Sequence, residues 1–416
     1  MKCRQISLFI ISIFISLSLV VPIHATSQQE NNLPTLSLDI KSNYGYVIDI
    51  EHNQVLLDKN SNSRMFPASM TKMMTVLVAI EEITDTEQKV LITKQMVEGL
   101  IEQDASVAGY VVGETPTVLD LMYAAALPSG ADACNALALT VSGSFESFIS
   151  KMNEKAKILH MDNTHFTNST GLHDDNHYST AQDICTLLSY CIQNDLFCEV
   201  FSASTYTTTP TWGYPDGFPL VSTAQKVKEK LGFSLPESYI GGKTGYTDEA
   251  GHCLASWAQV NDMTIITVLA GAMGDYYSID SFKDTSNILD TLQDWNYINY
   301  VNTEDVLKEI TVHHEYEDIT IPVKATQSLQ ADLPLNQHIK YKVDIIDEID
   351  SQVEDSVAEA MITVFVDDNE IYTEKQEILI PREPNLFGRL LKRLRIFGKQ
   401  MKDFLSNLFN FVKINA

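Results

Sequence analysis

Apolar and polar positions along this chain change period several times, and each change marks an element. In "YGYVIDIEHNQVLLDKN", residues 44–60, two short apolar runs flank a polar turn at Glu51 to Asn53, which predicts two strands and a tight connection. Residues 70–83 are apolar on nearly every side at helical spacing, the pattern of a buried helix. Helical periodicity returns from Val118 to Leu139, interrupted by "LPSGAD", and again over 145–159 and 180–193. In "CLASWAQVNDMTIITVLAG", residues 253–271, two apolar runs meet at Asn261-Asp262, which reads as a hairpin. From Val306 to Ile380 the runs become short, alternating and β-branched, so a separate small β-rich domain is expected there.

The two ends read differently. Lys2 and Arg4 precede an apolar run from Ile6 to Val21, and small residues at Ala25 and Thr26 follow. That order predicts a secretory signal peptide over 1–25 rather than a retained span. From Leu386 onward, apolar residues recur at Phe387, Leu390, Leu394, Phe397, Met401, Phe404, Leu408 and Phe411. Arg389, Lys392, Arg393, Arg395, Lys399 and Lys402 lie opposite. The segment 384–416 holds seven Lys/Arg against one Asp, net +6, so the rest of the chain carries −32 of the −26 total. A basic amphipathic helix on an acidic protein suits the headgroup layer of an anionic membrane. Packing on its own protein or a coiled-coil seam are the competing readings, and Gly388, Gly398 and the Phe-rich stripe disfavour the coil.

Charge also excludes functions. An overall −26 leaves no basic face for nucleic acid, and neither zinc-finger spacing nor a Gly-rich phosphate loop occurs. Past the signal, Cys134, Cys185, Cys191, Cys198 and Cys253 are odd in number with no CxxC pair, which argues against a disulfide framework and a zinc site. His165, His173 and His177 with Asp174 and Asp175 match no common zinc spacing either. No metal or cofactor is expected, and His313-His314 reads as a solvated strand pair.

The chemistry gathers around "FPASMTKMMT", residues 66–75. Ser69 and Lys72 sit at i and i+3, on one helix face, so the amine can approach the hydroxyl. A serine hydroxyl needs that help near neutral pH, and a lysine serves as base only when burial or a neighbouring cation lowers its pKa. The apolar helix supplies burial. Lys243, in "YIGGKTGYTDEAGH" just before the hairpin strands, is the candidate second cation, and "ALPSGADAC" puts Ser129 between the two in chain order. Ser-x-x-Lys alone arises about once by chance in a chain this long, so the set of three carries the weight.

Together, "FPASMTKMMT", "LPSGADA", "STGLHDDNHYSTAQD" and "GGKTGYTDEAGHCL" resemble the serine D-alanyl-D-alanine carboxypeptidases, the low-molecular-mass penicillin-binding proteins, over about residues 38–275. The resemblance implies an α+β fold: a β-lactamase/transpeptidase-like catalytic domain (34–300), an antiparallel sheet with a helical region. A small all-β domain (305–382) and the C-terminal amphipathic helix (384–416) follow. It implies Ser69 as nucleophile, Lys72 as base and Ser129 as proton relay. Lys243 and Thr244, followed by Gly245 and Tyr246, would hold the substrate's terminal carboxylate, and the N–H groups of Ser69 and Tyr246 would form the oxyanion hole. The implied partners are peptidoglycan stem peptides ending in D-Ala-D-Ala, β-lactam antibiotics and the membrane surface, with the enzyme exported to the outer face of the cytoplasmic membrane.

One position departs from the family pattern. Ala131 stands where Asn is usual, and Asn135, one helical turn on, points elsewhere. A catalytically weakened peptide-binding protein is therefore the first alternative. A β-lactamase is the second, disfavoured because Glu-x-x-x-Asn is absent from 160–185 and because a secreted lactamase needs neither the β domain nor the tail.

Overall fold

The computed structural model describes residues 33–314, 318–346, 348–350, 356–381, 390, 394 and 397–402. The segment 1–25, expected to be a signal peptide, lies outside them, as does most of the tail 384–416. Where the tail is described it is helical, with Leu390, Leu394, Phe397 and Met401 exposed. Among the described residues no helix is long and apolar enough to cross a membrane.

A five-stranded antiparallel sheet organises the first 290 residues. Its order is Gln54–Lys59, Tyr44–Asp49, Met263–Ala272, Gly251–Val260 and Tyr239–Thr247. The two expected hairpins are both present, turning through Asn53 and Asn261 with φ of 53° and 52°, a left-handed conformation that asparagine tolerates. The strand Met263–Ala272 is apolar except at Thr264, Thr267 and Gly271, and it is covered on both faces. Ile266, Val268 and Ala270 face a helical layer, while Ile265 and Leu269 face Ile288, Leu289 and Leu292 of the helix Asp280–Leu292.

The helical layer follows the expected periodicity: Lys72–Glu82, Val118–Ala126, Ala131–Ser142, Phe145–Ile158 and Ala181–Cys191. The helix expected over 70–83 begins differently, as a 3₁₀ turn over Ala68–Thr71 that tightens the chain before the α-helix starts at Lys72. Caps set the other starts. Thr117, Ser144 and Thr180 each accept a bond from the backbone N–H three residues on, which satisfies a donor the helix cannot pair. All five described cysteines are free thiols.

The β-rich C-terminal part is built from ladders around two small cores. Ser356–Val366 lies between Ile339–Asp344 and Asn369–Ile380, and Val306–His313 lies between Ile319–Lys324 and Glu348–Asp350. The strand Trp295–Val301 pairs with Leu329–Pro334 and sends Tyr300 and Val301 into this core, while Trp295 packs under the central sheet.

The chain before the first strand is docked by one carboxylate. Asp284, buried on the helix under the sheet, accepts from Lys41 N (3.0 Å), Ser42 N (2.8 Å) and Ser42 Oγ (2.8 Å). Asp284→Ala leaves three donors unpaired and is expected to lower unfolding stability by about 2–4 kcal/mol, read from urea titration, with Asp284→Asn losing less. An unchanged urea midpoint in the alanine variant would contradict this.

Candidate active site

Ser69 sits in the 3₁₀ turn, one residue after Ala68, whose φ of 46° is an unfavourable left-handed conformation for a residue with a Cβ. The turn is held from two sides. Gly171, at φ 80°, lies so close that a Cβ there would fall 1.9 Å from Ala68 O. On the other side Gly245 brings the edge strand in, and a Cβ there would lie 3.1 Å from Ser69 N and from Pro67 O. Glycine is the residue that permits both approaches.

Lys72 Nζ lies 2.7 Å from Ser69 Oγ and donates to Thr170 O at 2.6 Å. The side chain is 2% exposed, and burial holds its amine below the ordinary lysine range, with Cys134 and Asp132 opposing the shift. Both contacts are uncharged, so neither rewards the ammonium as a carboxylate would. In the neutral form the contact reverses, and Ser69 Oγ–H donates to the amine, the arrangement of an activated nucleophile.

Lys243 comes from the strand Tyr239–Thr247 and is 1% exposed, donating to Thr244 O at 3.0 Å. Its amine is pushed well down, by burial first and by the charge of Lys72 second. Cys134 lies in the field of both amines, but burial raises its thiol to about 11, so it stays protonated.

Ser129 occupies the bend between the helices Val118–Ala126 and Ala131–Ser142 at φ 64°. Its Oγ is buried and has no hydrogen-bond partner, so it is free to pair with a substrate or a moving proton. Asp132 steadies this corner by accepting from Ala108 N (2.8 Å), Gly109 N (2.9 Å) and Tyr110 N (3.1 Å). Ala131 is buried. Asn135 is committed elsewhere, donating to Met96 O at 3.2 Å and accepting from Ser169 Oγ at 3.2 Å.

These side chains open on one cleft of about 370 Å³, walled by Ser69, Ser129, Thr244, Gly245 and Tyr246. Lys72 and Lys243 are buried and are not among the residues that line it, although Lys72 reaches Ser69 Oγ. Lys226 and Lys230, one turn apart on the helix Thr223–Leu231, also line it, and sequence reasoning missed them. The signal was their i, i+4 spacing in "TAQKVKEKL", which by itself looks like an ordinary solvated face. Burial, then Lys230, lowers the Lys226 amine. With Lys226 and Lys230 set against the single carboxylate of Asp104, the cleft lining leans cationic on an acidic protein, which favours an anionic ligand.

His165, His173 and His177, whose spacing matches no zinc pattern, make separate contacts. His177 is buried, receiving Thr167 N–H at Nδ1 (3.1 Å), so its Nε2–H donates to Thr71 Oγ1 (2.8 Å), next to Lys72. His165 Nδ1 contacts Asn176 O at 2.7 Å, and His173 packs edge-on against Phe66.

Comparison with known proteins adds four findings. The family model described as D-alanyl-D-alanine carboxypeptidase (Peptidase_S11) matches residues 26–274. The D-alanyl-D-alanine carboxypeptidase DacF of Bacillus subtilis is 35% identical over 226 residues, covering 54% of this chain and 56% of its own length. This chain thus spans little more than half of that relative. Among solved structures, the Streptomyces K15 DD-transpeptidase is 29% identical with a TM-score of 0.55, covering 62% of this chain and 98% of its own. Penicillin binding protein 5 of Haemophilus influenzae, 20% identical, shares the fold over 84% of this chain and 99% of its own with a TM-score of 0.57.

Burial lowers the His177 pKa from 6.5 to about 4, so the folded state prefers the neutral ring. Between those two values the unfolded chain binds the extra proton, and stability falls as pH drops from 6.5 towards 4. The loss amounts to about 3 kcal/mol across the window and is absent above it. His177→Gln is expected to flatten this part of the profile, read as urea midpoint against pH; an unaltered slope would refute the assignment.

Proposed function

The chain belongs to the D-alanyl-D-alanine carboxypeptidase family, and on that premise we propose that it removes the terminal D-alanine from peptidoglycan stem peptides through an acyl-enzyme on Ser69. The observation that carries this reading is the 2.7 Å contact between Ser69 Oγ and an amine whose proton affinity burial has reduced.

In the proposed cycle, Lys72 takes the Ser69 proton as Oγ attacks the carbonyl between the two D-alanines. The oxyanion forms against the N–H groups of Ser69 and Tyr246. Collapse breaks the peptide bond, and the leaving amine receives the proton from the Lys72 ammonium by way of Ser129. Water then attacks the ester, returning the proton to Ser69. Lys243 and Thr244 hold the substrate's terminal carboxylate, and Lys226 and Lys230 add positive charge along the same cleft. β-Lactams would acylate Ser69 at the same stage.

Export and membrane attachment complete the reading. They are supported by the signal-like start and by the exposed stripe of Leu390, Leu394, Phe397 and Met401 on a basic segment, which suits an anionic bilayer surface. A second reading, a protein that binds stem peptides with weakened turnover, is favoured by Ala131, since no amide occupies that position and Asn135 is engaged elsewhere.

Purified protein is expected to release D-alanine from diacetyl-Lys-D-Ala-D-Ala, and Ser69→Ala to reduce release at least about a thousandfold. Peptide binding with no release would favour the second reading, and neither binding nor labelling by a fluorescent penicillin would sink both.

Ala131→Asn is the companion measurement. A returned amide that hydrogen-bonds the peptide is expected to raise kcat/KM about fivefold to a hundredfold, corresponding to about 1–3 kcal/mol. A variant no faster than the parent would show that the alanine is not what limits turnover.

A further inference from the structure

Outside the cleft, three side chains meet where the central sheet joins the β-rich part. Asp49 ends one strand of the first hairpin, His52 lies in its turn, and Asp332 comes from the strand Leu329–Pro334. Their nearest ligand atoms all lie within 4.8 Å of one another. Both carboxylates are fully buried, whereas the His52 side chain is 18% exposed.

The two carboxylates are not equivalent. Asp49 is well served: its Oδ1 accepts from Glu51 N and Thr264 N, both at 3.1 Å, and its Oδ2 contacts His52 Nδ1. Neither oxygen of Asp332 has a hydrogen-bond partner. His52 Nδ1 lies 3.2 Å from its Oδ1. A buried carboxylate facing a second carboxylate across a single imidazole is a costly arrangement unless a cation or a proton answers it.

The surroundings hold these groups in position. Asp332 and Tyr297 are cross-strand partners, and the His52 ring stacks on Tyr297 at 3.4 Å and 4°. Gln54 clamps the Asp332 backbone through both its amide atoms, receiving Asp332 N at 2.8 Å and donating to Asp332 O at 2.9 Å. Imidazole nitrogen and carboxylate oxygen 3.2 Å apart match two ligands each about 2.1 Å from one ion, which stand about 3.0–3.4 Å apart at tetrahedral to octahedral angles.

We propose that Asp49, His52 and Asp332 form a binding site for one divalent transition-metal ion that ties the central sheet to the C-terminal β-rich part. One imidazole and two carboxylates suit Zn²⁺ or Mn²⁺, with water filling the remaining positions. The site's role is structural, since it lies outside the cleft, and the proposal stands independently of the activity assigned to Ser69.

The test uses purified, untagged, chelator-stripped protein titrated with ZnCl₂ in a calorimeter. One equivalent is expected to bind at micromolar concentration or tighter and to raise the thermal midpoint. His52→Ala and Asp332→Asn are each expected to weaken binding at least about a hundredfold. No saturable binding up to millimolar Zn²⁺, or equal affinity in both variants, would overturn the site. Should a variant fail to fold, X-ray absorption on the zinc-loaded parent decides: one imidazole with oxygen neighbours supports the proposal, and a sulfur or multi-histidine shell refutes it.

Discussion

Two amines forced out of water are the constraint around which the rest of this structure is arranged. Lys72 and Lys243 are 2% and 1% exposed, and their hydrogen bonds go to a hydroxyl and to carbonyls. Removing an ammonium from water costs several kcal/mol, so the molecule sheds a proton more readily here than at its surface. The apolar helix that buries Lys72 against the sheet is thus part of the chemistry as well as of the core. A fold with the same residues but a wetter interior would leave Lys72 a surface cation and Ser69 an ordinary alcohol.

That constraint explains why the backbone around Ser69 is tight. The 3₁₀ turn, the left-handed Ala68, and the close approach of Gly171 and Gly245 bring three separate stretches of chain against one hydroxyl. Thr75 Oγ1 bonding Ser169 O at 2.6 Å, and Asn168 Oδ1 accepting from Gly171 N at 2.7 Å, keep the carbonyl of Thr170 aimed at Lys72. Such contacts hold a geometry that unassisted backbone would relax away from.

The sequence made some of this legible and hid the rest for definable reasons. The Ser69–Lys72 pairing could be read because i and i+3 share a helix face whatever the tertiary fold, even though the serine proved to lie in a 3₁₀ turn. The hairpins were readable because turn residues interrupt apolar runs. Lys243 was found through its neighbours in the sequence, and its distance to Ser69 is a property of sheet order that no local pattern encodes. Lys226 and Lys230 were missed because cleft and solvent look alike in a polar helix. The Asp49–His52–Asp332 cluster joins positions about 280 residues apart, so only the assembled ladders reveal it. The strand Trp295–Val301 lies at the seam and contributes to cores on both sides, which composition cannot divide.

The strand carrying Lys243 is the last in its sheet, paired with a neighbour along one side only. Among the described residues, a row of amide groups is therefore left without a strand partner beside Ser69, an edge of the kind that can take an extended peptide as a sixth strand. Recognition of that kind grips the ligand's main chain and ignores most of its side chains. Discrimination then falls to whatever the cleft itself contacts at the end of such a ligand.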